Sequence, residues 1–264
     1  MSRPLYLDGS PRAPLRVRRD GPALCVKQPG RADRLYPFGR LSRVVVSGAV
    51  DWEMPALLET MEQGIPVVFL GVRGHVRGYC LGAHPRRGGL NERIEALLDR
   101  PDWADRYGDW YAAAERRAVL WIVRRLRLPE HDLRPRPVRE RIDAVLSRRV
   151  PLRQVHRGRA LLQGWHQALV AEAFAAEGVR GQTLVGRRAG LNLIRDFTRI
   201  VGWELNLALD RCCRWLAKRA NQTSFDEPKG RRRLVNEFEG WSRHLHDRHR
   251  RLIDAFDLWL DDLA

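Results

Sequence analysis

At 264 residues the chain is long enough for one large domain or two smaller ones, and its 44% of apolar residues excludes a wholly disordered polymer. No apolar run approaches a membrane span, and Met1 to Arg19 alternate Pro, Arg and Asp where a secretion signal would be apolar, so a cytoplasmic protein without a membrane partner is expected. The formal charge of +16, with 48 basic against 32 acidic side chains, points to nucleic acid as partner.

Residues 1–82 read as strand-rich, with short alternating runs divided by Gly, Pro and Asp clusters. Leu15 to Val17 and Leu24 to Val26 alternate, and Val44 to Val46 is a β-branched run. Residues 54–63 carry apolar side chains at helical spacing closed by Gly64, and residues 65–70 form a second apolar run. Gly71, Gly74 and Gly78 then punctuate a turn. The Pro and double Gly of residues 84–89 make a flexible connection, after which helical periodicity dominates. The spacing predicts helices over residues 91–98, 104–126, 137–148, 157–176, 191–220 and 234–263. In the last, Trp241, Leu245, Leu252, Phe256 and Leu260 mark one apolar face. The expected fold class is α+β, with an N-terminal β-rich domain (residues 1–83), a linker (84–90) and an all-α C-terminal domain (91–264).

The basic charge is carried almost wholly by arginine, with lysine only at Lys27, Lys218 and Lys229, so the guanidinium fork is the phosphate-binding group on offer. Pairs recur at Arg116-Arg117, Arg124-Arg125, Arg148-Arg149 and Arg187-Arg188, with longer clusters at Arg231 to Arg233 and Arg248 to Arg251. Such groups give affinity without sequence readout, although some are ordinary solvated helix faces. Cys25, Cys80, Cys212 and Cys213 lack CxxC spacing and read as buried thiols rather than zinc ligands. His244-Leu245-His246-Asp247-Arg248-His249 looks like a zinc-hydrolase signature. However, its Asp directly follows the second His, and on a helix His244 and His246 project to nearly opposite sides. Surface histidines, with His249 near the core stripe, are the expectation.

The order of elements in residues 41–82, a strand ending at a glycine, a helix, the run Gly64-Ile65-Pro66-Val67-Val68-Phe69-Leu70 and a glycine-rich return, resembles the N-terminal β domain of Cas1, the integrase of CRISPR adaptation. Leu5-Tyr6-Leu7-Asp8-Gly9 resembles that family's opening strand, and the runs at Leu15 and Leu24 its next hairpin. Leu90-Asn91-Glu92-Arg93, Pro101-Asp102-Trp103, Tyr107 and Trp110 are similar to its first long helices. The resemblance implies dimerisation through the β domain.

It also implies a Glu, a His and an Asp that hold Mg²⁺ or Mn²⁺ for attack of a DNA 3′ hydroxyl on a phosphodiester. The window matching the Glu is Leu162-Gln163-Gly164-Trp165-His166, without a carboxylate; the nearest is Glu172, further along the helix. The window matching the His, Gln222-Thr223-Ser224-Phe225-Asp226, has no imidazole. A turn at Lys229-Gly230-Arg231-Arg232-Arg233 precedes Leu234-Val235-Asn236-Glu237, which places Glu237 where the Asp is expected. The candidate metal ligands are therefore Glu237 and Glu172, and the candidate DNA-binding residues are Arg187, Arg188, Arg231, Arg232 and Arg233. Arg231 to Arg233 lead because the resemblance puts them beside the family's active centre.

Three functions remain open on these residues. The first is a DNA-binding or architectural subunit of spacer acquisition, working as a homodimer, with a second Cas1, or in a Cas1 and Cas2 assembly that supplies the chemistry. The second is an active metal-dependent integrase and endonuclease whose ligands lie elsewhere, among Glu172, Glu204, Asp210, Asp226 and Glu237. Glu204 and Asp210 also read as solvated helix charges opposite Arg211 and Arg214. The third is a basic RNA-binding protein unrelated to Cas1.

Overall fold

In the computed structural model, which describes residues 2–82, 89–179, 181–184, 191–219 and 223–263, strands come first and helices follow. The strand-rich part runs β1 (Arg3–Gly9), β2 (Leu15–Asp20), β3 (Ala23–Lys27), β4 (Arg34–Pro37), β5 (Leu41–Gly48), β6 (Val50–Trp52), α1 (Met54–Glu62), β7 (Val67–Leu70) and β8 (Val76–Cys80). One sheet has the order β1-β5-β7-β8, parallel except for the antiparallel β7/β8 return through Gly71 and Gly74. The other has the order β4-β3-β2-β6, antiparallel except where β2 and β6 run parallel.

Leu5 and Leu7 of β1, Val17 of β2, Leu24 and Val26 of β3, Val44 and Val46 of β5 and Val67 of β7 are buried in one core with Ala56 of α1. The alternation along β1, β2 and β5 thus puts one face of each strand into this core. On β5 the opposite face carries Arg43 and Val45, also buried, as befits a strand flanked on both sides. Helix α1 has Pro in its first turn and ends at Gly64, whose φ of +70° a side chain would strain.

The helices are α2 (Gly89–Leu98), α3 (Trp103–Arg125), α4 (Pro135–Ser147), α5 (Leu152–Ala176), α6 (Gly181–Leu184), α7 (Leu193–Val201), α8 (Leu205–Ala217) and α9 (Pro228–Asp261). The α+β expectation holds. Most of the expected linker lies outside the described residues, and its last two, Gly89 and Leu90, open α2.

Two compact units form. One contains Met1–Glu95 with Gly164–Ile194; the other contains Ala96–Gln163 with Arg195–Ala264. In the second, Trp110 of α3, Phe197 of α7 and Phe256 of α9 cluster with ring centroids 4.7 to 5.7 Å apart. None of the described helices is long and apolar enough to cross a membrane.

Three helical expectations change. The helix expected over residues 191–220 is interrupted at Gly202-Trp203-Glu204, where glycine weakens the helix and Trp203 turns inward, its indole N–H donating to Glu115 at 3.3 Å. The last helix begins at Pro228, so Lys229 to Arg233 form its opening turns rather than a loop. Proline suits that first turn, and glycine is needed at Gly230 because a Cβ would lie 2.0 Å from the Ser224 carbonyl oxygen. Along α9 the buried stripe is Leu234, Phe238, Leu245, His249, Ile253, Phe256 and Leu260, with Trp241 and Leu252 at its margins.

Candidate functional site

The window expected to supply the family's Glu sits in the middle of α5. Gly164 takes a close contact, since a Cβ there would lie 2.3 Å from the Gly74 carbonyl oxygen. Trp165 is buried edge-on against Tyr6, their centroids 5.8 Å apart. His166 is fully buried near Arg43, and burial first, then that guanidinium, pulls its pKa down to about 3, so the ring is neutral. Two turns on, Glu172 accepts a 2.7 Å bond from Nη1 of Arg43, whose side chain is only 3% exposed. Its carboxylate is the counterion of a buried arginine.

In the second unit the window expected to supply the His is described from Thr223 onward. Phe225 is buried, its backbone N–H donating to Oε1 of Gln154 at 2.9 Å, and Asp226 accepts from Nε of Arg157 at 2.6 Å. Glu237 lies on the inner side of α9, its side chain 10% exposed. Arg211 of α8 donates to its Oε1 at 3.1 Å and Arg233, one turn back on α9, to its Oε2 at 2.9 Å. A divalent cation at this carboxylate would face two guanidinium charges already engaging both oxygens, which hard-cation coordination does not favour. Gln163 lines a cleft with Leu205, Asn206 and Leu209 of α8, away from the Arg211 side that meets Glu237.

Glu204 and Asp210 are not the solvated charges expected. Glu204 is 3% exposed and accepts from Nε of Arg248 at 2.7 Å, with His244 Nε2 2.6 Å from its other oxygen. Asp210 is buried between Arg149 at 2.5 Å and Arg214 at 2.6 Å. The chain breaks α7 from α8 at Glu204, which turns this carboxylate inward toward α9, a placement the periodicity of a single continuous helix concealed. His244 is accordingly a partner of Glu204, while His249 is buried in the core stripe. Cys212 and Cys213 are buried thiols held up to about 12 chiefly by burial. Among the described residues no group of three or more His, Cys, Asp or Glu side chains could hold a metal ion.

Of the basic candidates, Arg187 and Arg188 lie outside the described residues. Arg232 is exposed on α9, Arg231 half-buried, and Arg233 tied to Glu237. Arg116, Arg117, Arg124 and Arg125 are exposed along α3, and among the described residues Arg124 alone of the four has a carboxylate, Glu130 at 3.2 Å.

A family model described as CRISPR associated protein Cas1 matches residues 12–148, just over half of the chain. No curated protein matches. Among solved structures, a CAS1 protein from Thermotoga maritima superposes with a TM-score of 0.74 at 12% identity, covering 98% of this chain and 97% of that one. A casposase bound to integration product gives 0.64 at 14% identity, covering 97% and 91%, and a TtCas1-DNA complex gives 0.61 at 17%, covering 99% and 91%. These likenesses establish the fold over almost the whole chain, and with the family match over its first half, the chain belongs to the CRISPR associated protein Cas1 family.

Proposed function

We propose that this chain is a DNA-binding, architectural subunit of CRISPR spacer acquisition, catalytically impaired and acting with an active partner. The observation that carries this reading is Glu237: at the one family position where a carboxylate survives, two guanidiniums hold both of its oxygens. The α5 window, with Gln163, Trp165 and His166, offers no carboxylate to join it. Arginine thereby supplies the positive charge that a metal ion would bring, which binds phosphate but does not activate a hydroxyl nucleophile.

DNA as partner is supported by the charge of +16 and by two structurally similar proteins, one in complex with DNA and one bound to integration product. The partner that supplies chemistry is a second Cas1, in a homodimer or heterodimer, or a Cas1 and Cas2 assembly. Apolar surface on the strand-rich unit supports pairing there, for Met54 and Leu58, one turn apart on α1, are 62% and 46% exposed. Mg²⁺ or Mn²⁺ belongs only to the competing reading, an active enzyme with displaced ligands.

A titration of labelled branched DNA tests the reading: affinity should be the same in EDTA as in Mn²⁺, and binding that requires the metal would overturn it. Replacing Arg231, Arg232 and Arg233 together by Ala should weaken binding and lower the salt slope by about one to two, less than three full contacts, because Arg233 already serves Glu237.

A further inference from the structure

The cleft that Gln163 lines is bounded by α4, α5 and α8, and its charged walls are Arg139 of α4 and Arg159 of α5. Arg159 donates through Nη2 to Asp143, yet its side chain is only 12% exposed and its Nε is buried with no acceptor among the described residues. Asp143 is shared further, since Nε2 of His156 lies 3.3 Å from its other oxygen. Arg139 is half-buried, its guanidinium carbon 4.4 Å from the Trp203 ring centroid, and among the described residues it makes neither a hydrogen bond nor an ion pair. Stacking covers a face of that planar group and leaves the N–H donors, which lie in its plane, for another partner. Burial first, then the charge of Arg159, pulls the Arg139 pKa below its ordinary value, the mark of a cation short of negative charge. Gln163 is half-buried, and the buried Asn206 donates to the Trp203 carbonyl oxygen at 2.8 Å.

The walls thus offer donors and little to accept them: the fork of Arg139, Nε of Arg159 and the amide of Gln163. A neutral ligand would answer the N–H groups but not the charge, and a carboxylate brings two oxygens. A tetrahedral oxyanion brings four, two for the fork and one for each remaining donor. The cleft encloses about 220 Å³ with its mouth included. That is below the roughly 300 to 1,000 Å³ of pockets for organic ligands, so the ion is small. We propose that this cleft binds a free tetrahedral oxyanion, phosphate or sulfate, through Arg139, Arg159 and Gln163. A phosphodiester gives two of its oxygens to sugars, and its ordinary contacts are exposed arginines such as Arg116 and Arg117, not a side chain as enclosed as Arg159. The bound ion ties α4 to α5, and the stability of the second unit follows its concentration. The site stands apart from the DNA-binding reading above.

The test is thermal unfolding of the full chain in inorganic phosphate raised to about 20 mM, with chloride lowered to hold the ionic strength. The midpoint of the parent should climb by on the order of 5 °C and level off as the site fills. Arg139→Met, which keeps bulk over Trp203, should lose the saturable rise. Gln163→Leu keeps every charge and should raise the half-saturating phosphate concentration roughly three- to tenfold, so the site stays testable if Arg139→Met fails to fold. No rise in the parent, or a rise without saturation that Arg139→Met shares, overturns the site, for phosphate also stabilises proteins by exclusion from their surface. Anisotropy with labelled duplex DNA separates the two sources of phosphate: Arg139→Met should bind it within about two-fold of the parent. A loss of about ten-fold, with the salt slope lower by about one, would give the cleft to DNA and overturn the free ion while leaving the DNA-binding reading standing. A parent that shows the saturable rise and binds no DNA removes that reading and supports this site.

Discussion

Removing Glu172 should destabilise the strand-rich unit more than removing the arginine it faces. Arg43 is 3% exposed on β5 and Glu172 is 21% exposed on α5, so the two ends of the pair are not equivalent. In Glu172→Ala the guanidinium stays buried beside neutral His166 without its carboxylate, and breaking such a pair costs about 3 to 5 kcal/mol. The partial exposure of Glu172 puts the loss near the lower end, about 3 kcal/mol. In Arg43→Met the remaining carboxylate can turn to water, and the loss should be about 1 kcal/mol. The double variant Arg43→Met with Glu172→Leu should recover most of the difference, since no charge is then left inside. Urea denaturation followed by circular dichroism measures all three midpoints. A Glu172→Ala variant within about 0.5 kcal/mol of the parent, or a double variant as unstable as that single one, would refute the assignment of Glu172 as a structural counterion.

Other outcomes are as definite. His166 has a folded pKa of about 3 against 6.5 in a free histidine, so the unfolded chain binds the extra proton. Stability is therefore complete above about pH 6.5 and falls by on the order of 1 kcal/mol per unit as the pH drops toward 3; His166→Gln should flatten that part of the profile. Gly230→Ala places a Cβ against the Ser224 carbonyl oxygen and should cost about 1 to 3 kcal/mol, whereas Gly240→Ala, on the same helix with open space around it, should gain about 0.5 to 1 kcal/mol in the same denaturation assay. Arg248→Met leaves the buried Glu204 without its guanidinium, with His244 beside its other oxygen, and should cost about 2 kcal/mol; a variant as stable as the parent would show that this contact contributes little.

The strand-rich half was legible because its signals are local. β-Branched runs such as Val44 to Val46, the helix closed by Gly64 and the glycines of the β7/β8 return each encode their own geometry. The helical half was legible in its elements and less so in its joints. The break at Gly202 falls inside a continuous apolar periodicity, and helix formation through Lys229 to Arg233 depends on Pro228 at the start and on a close contact at Gly230 that only the folded chain reveals. Buried carboxylates were the least visible feature. Glu204 and Asp210 have the helical spacing of surface charges, and only tertiary placement shows Arg248 of α9 and Arg149 of the α4–α5 connection reaching them.

The most direct test of an arginine-occupied centre is strand joining and cleavage of a labelled branched DNA by the purified protein in Mn²⁺, beside its Glu237→Ala variant. The architectural role requires that both proteins bind the DNA and neither forms joined or cleaved products, with Glu237→Ala freeing Arg211 and Arg233 and so binding at least as tightly. Metal-dependent products from the parent protein that disappear in Glu237→Ala would contradict it and make this chain an active integrase.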